Sequence, residues 1–126
     1  MTSWRLLDTG ARGGSENMAI DEALFTGVIS GYSPPTLRFF TWEPACLSLG
    51  FRQQAGVRLL AACRRHQVEV VCRPTGGLAA LHGEDLCYSV TTRLGEGPFP
   101  AALQQANLKI NQALRAGLRL LGLPAE

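Results

Sequence analysis

Apolar and polar positions predict a mixed order of strands and helices along this chain. Residues 4–8, opening on Trp4, read as a short first strand, and the glycines within 10–14 read as a turn. Ser15 stands where it would cap the following helix, with Glu16 in the positive first turn. Met18, Ala19, Ile20, Ala23 and Leu24 give that helix an apolar face through about Ile29. Gly31 to Pro35 is turn chemistry. Thr36–Trp42 alternates and is rich in β-formers, Pro44 breaks it, and residues 46–50 are expected to return beside it as a hairpin. Val57–Arg65 predicts a short amphipathic helix with Leu59, Leu60 and Cys63 inward. Arg64, Arg65 and His66 then fall at its negative end, which makes His66 a helix-end residue rather than a catalyst.

The stretch at 68–90 is read as two β-rich runs, one from Val68 and one at 86–92, around a Gly-Gly loop. Residues 78–81 are a third short strand candidate. A Gly/Pro turn at 95–100 precedes a long amphipathic helix at roughly 101–121. Leu103, Ala106, Ile110, Ala113, Leu114, Gly117, Leu118 and Leu121 line one face of it, and Gly122 and Pro124 stop it. The order β–α–ββ–α–βββ–α is an α/β (α+β) domain, with a mixed, largely antiparallel sheet and flanking helices.

Length and charge narrow the class. A chain of 126 residues is one domain able to bury a core, and a net charge of +2 is too weak to argue for nucleic acid. No apolar run reaches membrane-spanning length, and MTSWRLLDTG lacks the features of a signal peptide. A cytoplasmic protein without a membrane partner is expected. Cys46, Cys63, Cys72 and Cys87 form no C-x-x-C pair, so no metal site is expected and the thiols read as reduced.

The candidate chemistry sits in the loop. Gly76 and Gly77 leave backbone N–H groups unshielded, and successive bare N–H groups form a concavity for carboxylate, carbonyl or phosphate oxygens. Arg73, Pro74 and Thr75 precede them and His82 follows, adding a fixed cation and a titratable ring. His82 either lines the pocket or is a satisfied core histidine. Ser48, flanked by Leu47 and Leu49, points away from both and is placed to line a pocket, without the surroundings of a nucleophile. Arg38 faces either a ligand or solvent. Asn17, Asp21 and Glu22 read as a solvated helix face, with one polar residue tying a neighbouring loop.

RPTGGLAALHGEDLCYSV at 73–90 resembles the Arg-x-Thr-Gly-Gly-x-Ala-x-Leu-His segment of the lipoate–protein ligase and octanoyltransferase family. WRLLDTG at 4–10, ENMAIDEAL at 16–24 and PPTLRFFTWEPACLSLGFRQ at 34–53 agree with it in order. The likeness is strongest to the octanoyl-carrier-protein transferases that work through a cysteine thioester. It implies the biotinyl/lipoyl transferase fold, incomplete here, with residues 1–126 as the N-terminal part of a biotin/lipoate protein ligase-like catalytic domain. It also implies an octanoyl or lipoyl ligand, with acyl carrier protein and lipoyl-domain acceptors as partners and a second polypeptide completing the fold as one possibility. Substrate contacts would come from Arg73, Thr75, Gly76, Gly77, His82, Ser48 and Arg38. The family's catalytic cysteine and lysine lie downstream of the last helix, beyond Glu126, so no catalytic residue is expected here, with Cys72 and Cys87 as substitute thiols. Two departures stand out: Cys72 where the family has a further arginine, and Leu78 where ligases have a third glycine. An ATP-dependent ligase and a non-catalytic acyl-binding module remain as alternatives.

Overall fold

The computed structural model describes residues 3–126, which divide into the units Ser3–Thr91 and Thr92–Glu126. The first unit runs β1 (Arg5–Arg12), α1 (Gly14–Ile29), β2 (Thr36–Trp42), β3 (Cys46–Leu49), α2 (Val57–Arg65), β4 (Glu69–Cys72), β5 (Ala80–His82) and β6 (Cys87–Thr91). Its strands form two three-stranded sheets, ordered β1-β2-β6 and β4-β3-β5. Strand β2 pairs parallel with β1 and antiparallel with β6, and β3 pairs parallel with β4 and antiparallel with β5. The class is the mixed α/β one expected, with parallel and antiparallel pairs in balance.

The expected β2–β3 hairpin does not form. Strand β2 alternates buried and half-buried positions, whereas all four residues of β3 are buried. A strand buried on both faces belongs at the centre of a sheet, and both edges of β3 are taken by β4 and β5. The first strand is also longer than its apolar pattern suggests. It continues through Gly10, at φ +64°, and its register with β2 shifts between Asp8 and Ala11. The glycine makes a bulge there, not a turn.

Helix α1 starts at Gly14, so Ser15 lies inside it and does not cap it. The cap comes from β4: the Glu69 carboxylate accepts from the N–H of Gly14 at 2.7 Å and of Ser15 at 2.9 Å, and from the Ser15 hydroxyl. These bonds, that of the Ser15 hydroxyl foremost, hold the Glu69 carboxyl below its ordinary range against the opposing effect of burial. A carboxylate at the positive end of a helix thereby ties α1 to the second sheet. The approach is close, since a Cβ on Gly14 would lie 2.9 Å from Glu69 Oε2 and 3.0 Å from Val71 Cγ1.

The buried residues of α1 are Gly14, Asn17, Leu24 and Val28, while Ala19 and Ala23 are exposed. The apolar face read from the sequence is thus rotated, because the inward stripe carries Asn17 and Asp21. In α2, Cys63 is buried but Leu59 is exposed. Two apolar clusters hold the unit: Phe40, Trp42 and Cys46 with Met18, Val71 and Cys87, and Leu47, Leu49 and Cys63 with Val68 and Val70. The second unit carries α3 (Leu103–Leu120). On its apolar face Ala106 is buried, while Leu103, Leu118 and Leu121 are exposed. No helix among the described residues is long and apolar enough to cross a membrane.

Candidate acyl-binding loop

Arg73 organises the loop that follows β4. Its backbone N–H donates to Leu49 O at 2.9 Å, which sets the arginine beside the end of β3. One arm of the guanidinium, Nη1, then donates to Ser48 O and Ser48 Oγ, both at 3.1 Å. The other arm, Nη2, donates to Gly76 O at 2.9 Å and Leu78 O at 2.7 Å. The rigid fork of arginine suits this four-point grip, and lysine could not reproduce it. Gly77 sits inside the grip at φ +98°, a conformation that L side chains rarely adopt, and a Cβ there would lie 3.0 Å from Arg73 Nη2.

The loop rests on the end of β3. Phe51 N–H donates to Thr75 O at 2.8 Å, and a Cβ on Gly50 would lie 3.0 Å from the Gly77 carbonyl carbon and closer still to its oxygen. With the Gly76 and Leu78 carbonyls turned inward to Arg73, the N–H groups of Gly76, Gly77 and Leu78 donate to no protein acceptor among the described residues. These three residues line an open cleft of about 470 Å³ together with Phe51, Arg52, Gln53 and Pro74. A cleft of that size with mainly apolar walls suits a small acyl compound.

Behind the loop runs a chain of polar bonds. Ser48 Oγ and His82 Nε2 are 2.8 Å apart, and His82 Nδ1 lies 2.7 Å from Asp85 Oδ2. The Asp85 carboxyl is held well below the usual carboxylate range: partial burial opposes this, but bonds from His82, the Gly83 N–H and Cys87 outweigh it. An ionised Asp85 places the His82 proton on Nδ1, so Nε2 accepts from the Ser48 hydroxyl. The sequence Ser48–His82–Asp85 has the bonding order of a hydrolytic triad. Ser48 is nevertheless only 1% exposed and lies under the Arg73 fork, so no acyl carbonyl reaches its Oγ. The relay positions Arg73 and supplies no nucleophile. Of the two readings open for it, His82 fits the satisfied histidine: both ring nitrogens are bonded, Trp42 stacks on its ring at 4.3 Å, and it supports the loop through Ser48 without lining the cleft.

Ser48, Arg73, Thr75, Gly76, Gly77 and His82 all belong to the loop or its support, but of these only Gly76 and Gly77 line the cleft. Arg38 is not among them and faces neither ligand nor solvent. Its side chain is fully buried, with Nη1 donating to Asp21 Oδ1 at 2.8 Å and Asn17 O at 3.0 Å, Nη2 to Asn17 Oδ1 at 2.6 Å, and Nε to Thr9 Oγ1 at 2.9 Å. Asp21 also accepts from Ser89, and the guanidinium lies 4.1 Å over the Phe40 ring. The polar residues of α1 therefore clamp a buried cation. Asn17 in addition ties the loop end after β1, donating to Arg12 O and Thr41 O.

The two thiols considered as substitute nucleophiles differ. Cys72 is exposed at the end of β4. Burial pushes the Cys87 thiol up to about 11, the Trp42 N–H bond works against this, and the bond to Asp85 adds to the rise. A thiol so protonated is a poor nucleophile at neutral pH. Cys46, fully buried, is likewise pushed up to about 11, mainly by desolvation. The folded state therefore holds protons at these two sites that the unfolded chain has lost, so stability should fall as pH rises from about 9 to about 11. Urea melts across that range measure it, and Cys87→Ala should flatten the fall.

Sequence reasoning missed Gly50, Trp42 and Asp85. Gly50 carries a signal, since a glycine closing an apolar strand marks close backbone approach. Asp85 stands three residues after His82, but nothing local marks the pair.

Comparison with known proteins bears on the family and the fold. The lipoyl protein ligase A/B catalytic domain family matches residues 14–126. Octanoyltransferase LipM of Carboxydothermus hydrogenoformans is 41% identical over 127 residues, covering 100% of this chain and 47% of that protein. Octanoyltransferase LipM of Symbiobacterium thermophilum is 45% identical over 125 residues, covering 98% and 45%. The chain thus spans less than half the length of these curated relatives. Among solved structures, the bi-partite lipoate protein ligase of Thermoplasma acidophilum, studied with its E2 lipoyl domain, matches at a TM-score of 0.78 and 25% identity over 100% of this chain and 48% of that one. The putative lipoate protein ligase Ta0514 of that organism, with bound lipoic acid, matches at 0.75 and 25% over 95% and 48%. With the family matched across 14–126, this chain belongs to the lipoyl protein ligase A/B catalytic domain family.

Proposed function

We propose that this chain is the acyl-binding part of an octanoyl/lipoyl transferase, the N-terminal part of its catalytic domain, serving transfer of octanoyl or lipoyl groups onto a lysine of lipoyl-domain proteins. The observation that carries the reading is the loop at 75–78. Gly76, Gly77 and Leu78, whose N–H groups donate to no acceptor among the described residues, line an open cleft, while the Gly76 and Leu78 carbonyls are held by Arg73. An acyl carbonyl or carboxylate oxygen seated there meets several donors at once, with the guanidinium charge behind them. Pro74, Leu78 and Phe51 give the acyl tail an apolar wall. Likeness to relatives named as octanoyltransferases supports the octanoyl assignment. Acyl carrier protein as donor and lipoyl-domain proteins as acceptors are the partners this implies.

The nucleophile of a thioester route is not Cys87, whose thiol stays protonated at neutral pH. The 126-residue chain is therefore expected to bind octanoyl groups without transferring them. Robust turnover by the purified chain would contradict this and direct attention to Cys72.

An ATP-dependent ligase is the second reading, favoured by the likeness to lipoate protein ligases, one of them with bound lipoic acid. Calorimetric titration with octanoate and with lipoate, each with and without magnesium ATP, separates the two. A transferase part binds the acyl compound with an affinity indifferent to ATP. Tightening by ATP, or saturable binding of ATP alone, would favour the ligase. No acyl binding under any of these conditions would remove both.

A further inference from the structure

Among the described residues, one group of histidine, cysteine and carboxylate side chains converges on a point. His82 at the end of β5, Asp85 in the following turn and Cys87 at the start of β6 have ligand atoms all within 4.8 Å of one another. Asp85 Oδ2 lies 2.7 Å from His82 Nδ1 and 3.1 Å from Cys87 Sγ, and Sγ lies 3.7 Å from Nδ1. A tetrahedral zinc ion, with Zn–S of about 2.3 Å and Zn–N or Zn–O of about 2.0–2.1 Å, requires ligand-to-ligand edges of roughly 3.3–3.6 Å. The sulfur–nitrogen edge is close to that already. The edges to Asp85 open by roughly half an ångström each, a side-chain rotation of Asp85, when the hydrogen bonds now closing them are replaced by metal bonds.

We propose that His82 Nδ1, Asp85 Oδ2 and Cys87 Sγ form a site for a thiophilic divalent metal ion of the zinc class, with a fourth position open to water or an exogenous ligand.

The surroundings support more than proximity. Each ligand is oriented by a further group that leaves its ligating atom available. Trp42 Nε1 donates to Cys87 Sγ at 3.1 Å, which favours the thiolate that a metal requires. Gly83 N–H donates to Asp85 Oδ1 at 2.8 Å and directs Oδ2 inward. His82 is fixed by the stacked Trp42 ring and, through Nε2, by Ser48. The mixed nitrogen, oxygen and sulfur set excludes magnesium and calcium, which take oxygen ligands, and suits zinc or cadmium.

Protons balance as follows. Entry of the ion expels the Cys87 thiol proton to solvent. The His82 proton moves from Nδ1 to Nε2, where it is donated to Ser48 Oγ. About one proton is released per ion bound. The Ser48 bond is kept with its direction reversed, so occupancy of this site is transmitted to the Arg73 fork and the loop.

The test uses the full 126-residue chain, treated with chelator and kept reduced, and no acyl ligand, so it stands apart from the acyl-binding reading. Zinc is titrated by calorimetry in two buffers of different ionisation enthalpy, and cadmium by ultraviolet absorption. The expected result is one ion per chain, release of about one proton, and a thiolate-to-metal charge-transfer band. That band should vanish in Cys87→Ser and persist in Cys72→Ser, and Asp85→Asn should weaken binding at least tenfold. Thermal melts check that each variant is folded. If Cys87→Ser does not fold, Asp85→Asn and Cys72→Ser decide the matter. No saturable binding, no thiolate band, a band lost with Cys72, or parent affinity in Asp85→Asn would each overturn the site.

Discussion

Arg38→Met should destabilise the fold by about 3–5 kcal/mol, the usual cost of breaking a buried ion pair by removing one partner. The methionine keeps the apolar stem of the arginine, so the larger part of the loss is polar. What remains is the Asp21 carboxylate, 12% exposed, and the buried Asn17 amide oxygen, both stripped of their strongest donors. For a domain of this size the melting temperature should fall by ~10 °C or more. Asp21→Asn keeps an acceptor towards Arg38 and Ser89 and should cost less, and a double-mutant cycle between Arg38 and Asp21 should show strong coupling. Urea denaturation of the single and double variants measures both. If Arg38→Met melted with the parent and lost acyl affinity, its guanidinium would be meeting ligand and the buried network would have been misjudged.

That network marks the boundary of what the sequence made legible. The loop was readable because its parts are local: Arg73, the glycine pair and His82 fall within ten residues. The spans of helices α2 and α3 were readable from their apolar spacing and their Gly/Pro boundaries, although only Cys63 and Ala106 are buried on them. Helix α1 was misread because its inward stripe carries Asn17 and Asp21, whose partner Arg38 lies on another element. A buried polar residue looks solvated until its partner is known. The capping of α1 had the same cause, since Glu69 stands 55 residues beyond Gly14. Strands β2 and β3 were paired because they are neighbours in sequence. Whether successive strands share a sheet depends on what flanks them, and β3 finds β4 and β5.

Gly50→Ala should impair acyl binding more than any substitution made in the open part of the loop. A Cβ at this position lies 3.0 Å from the Gly77 carbonyl carbon and 3.2 Å from that of Gly76. Gly50 carries no positive φ that would strain an alanine. The effect is therefore steric: the loop must lift from the end of β3, breaking the Phe51 N–H bond to Thr75 and the Arg73 grip on Gly76 and Leu78. Affinity for octanoate should fall at least tenfold, with a stability cost of about 1–3 kcal/mol, as for other overpacked positions. Arg73→Ala should lower affinity for octanoate and for octanamide alike, because the fork is spent on the loop and holds its shape. Alanine at Gly56, where a Cβ meets nothing within 4 Å, is the matched control. Parent affinity in Gly50→Ala would mean that the loop's contact with β3 is not what shapes the cleft.

The central claim is that backbone donors at Gly76–Gly77 receive the acyl group, and Gly77→Val tests it most directly. Gly77 is exposed, so the fold survives the change, but valine resists φ +98° and its branched side chain displaces Arg73 Nη2 and fills the mouth of the cleft. Calorimetric titration of octanoate into the parent chain and into Gly77→Val, paired with thermal melts of both, is the decisive measurement. Saturable binding by the parent, its loss in Gly77→Val, and a melting temperature shifted by only a few degrees are the predicted results. A Gly77→Val chain that binds octanoate as the parent does would contradict the assignment of the loop.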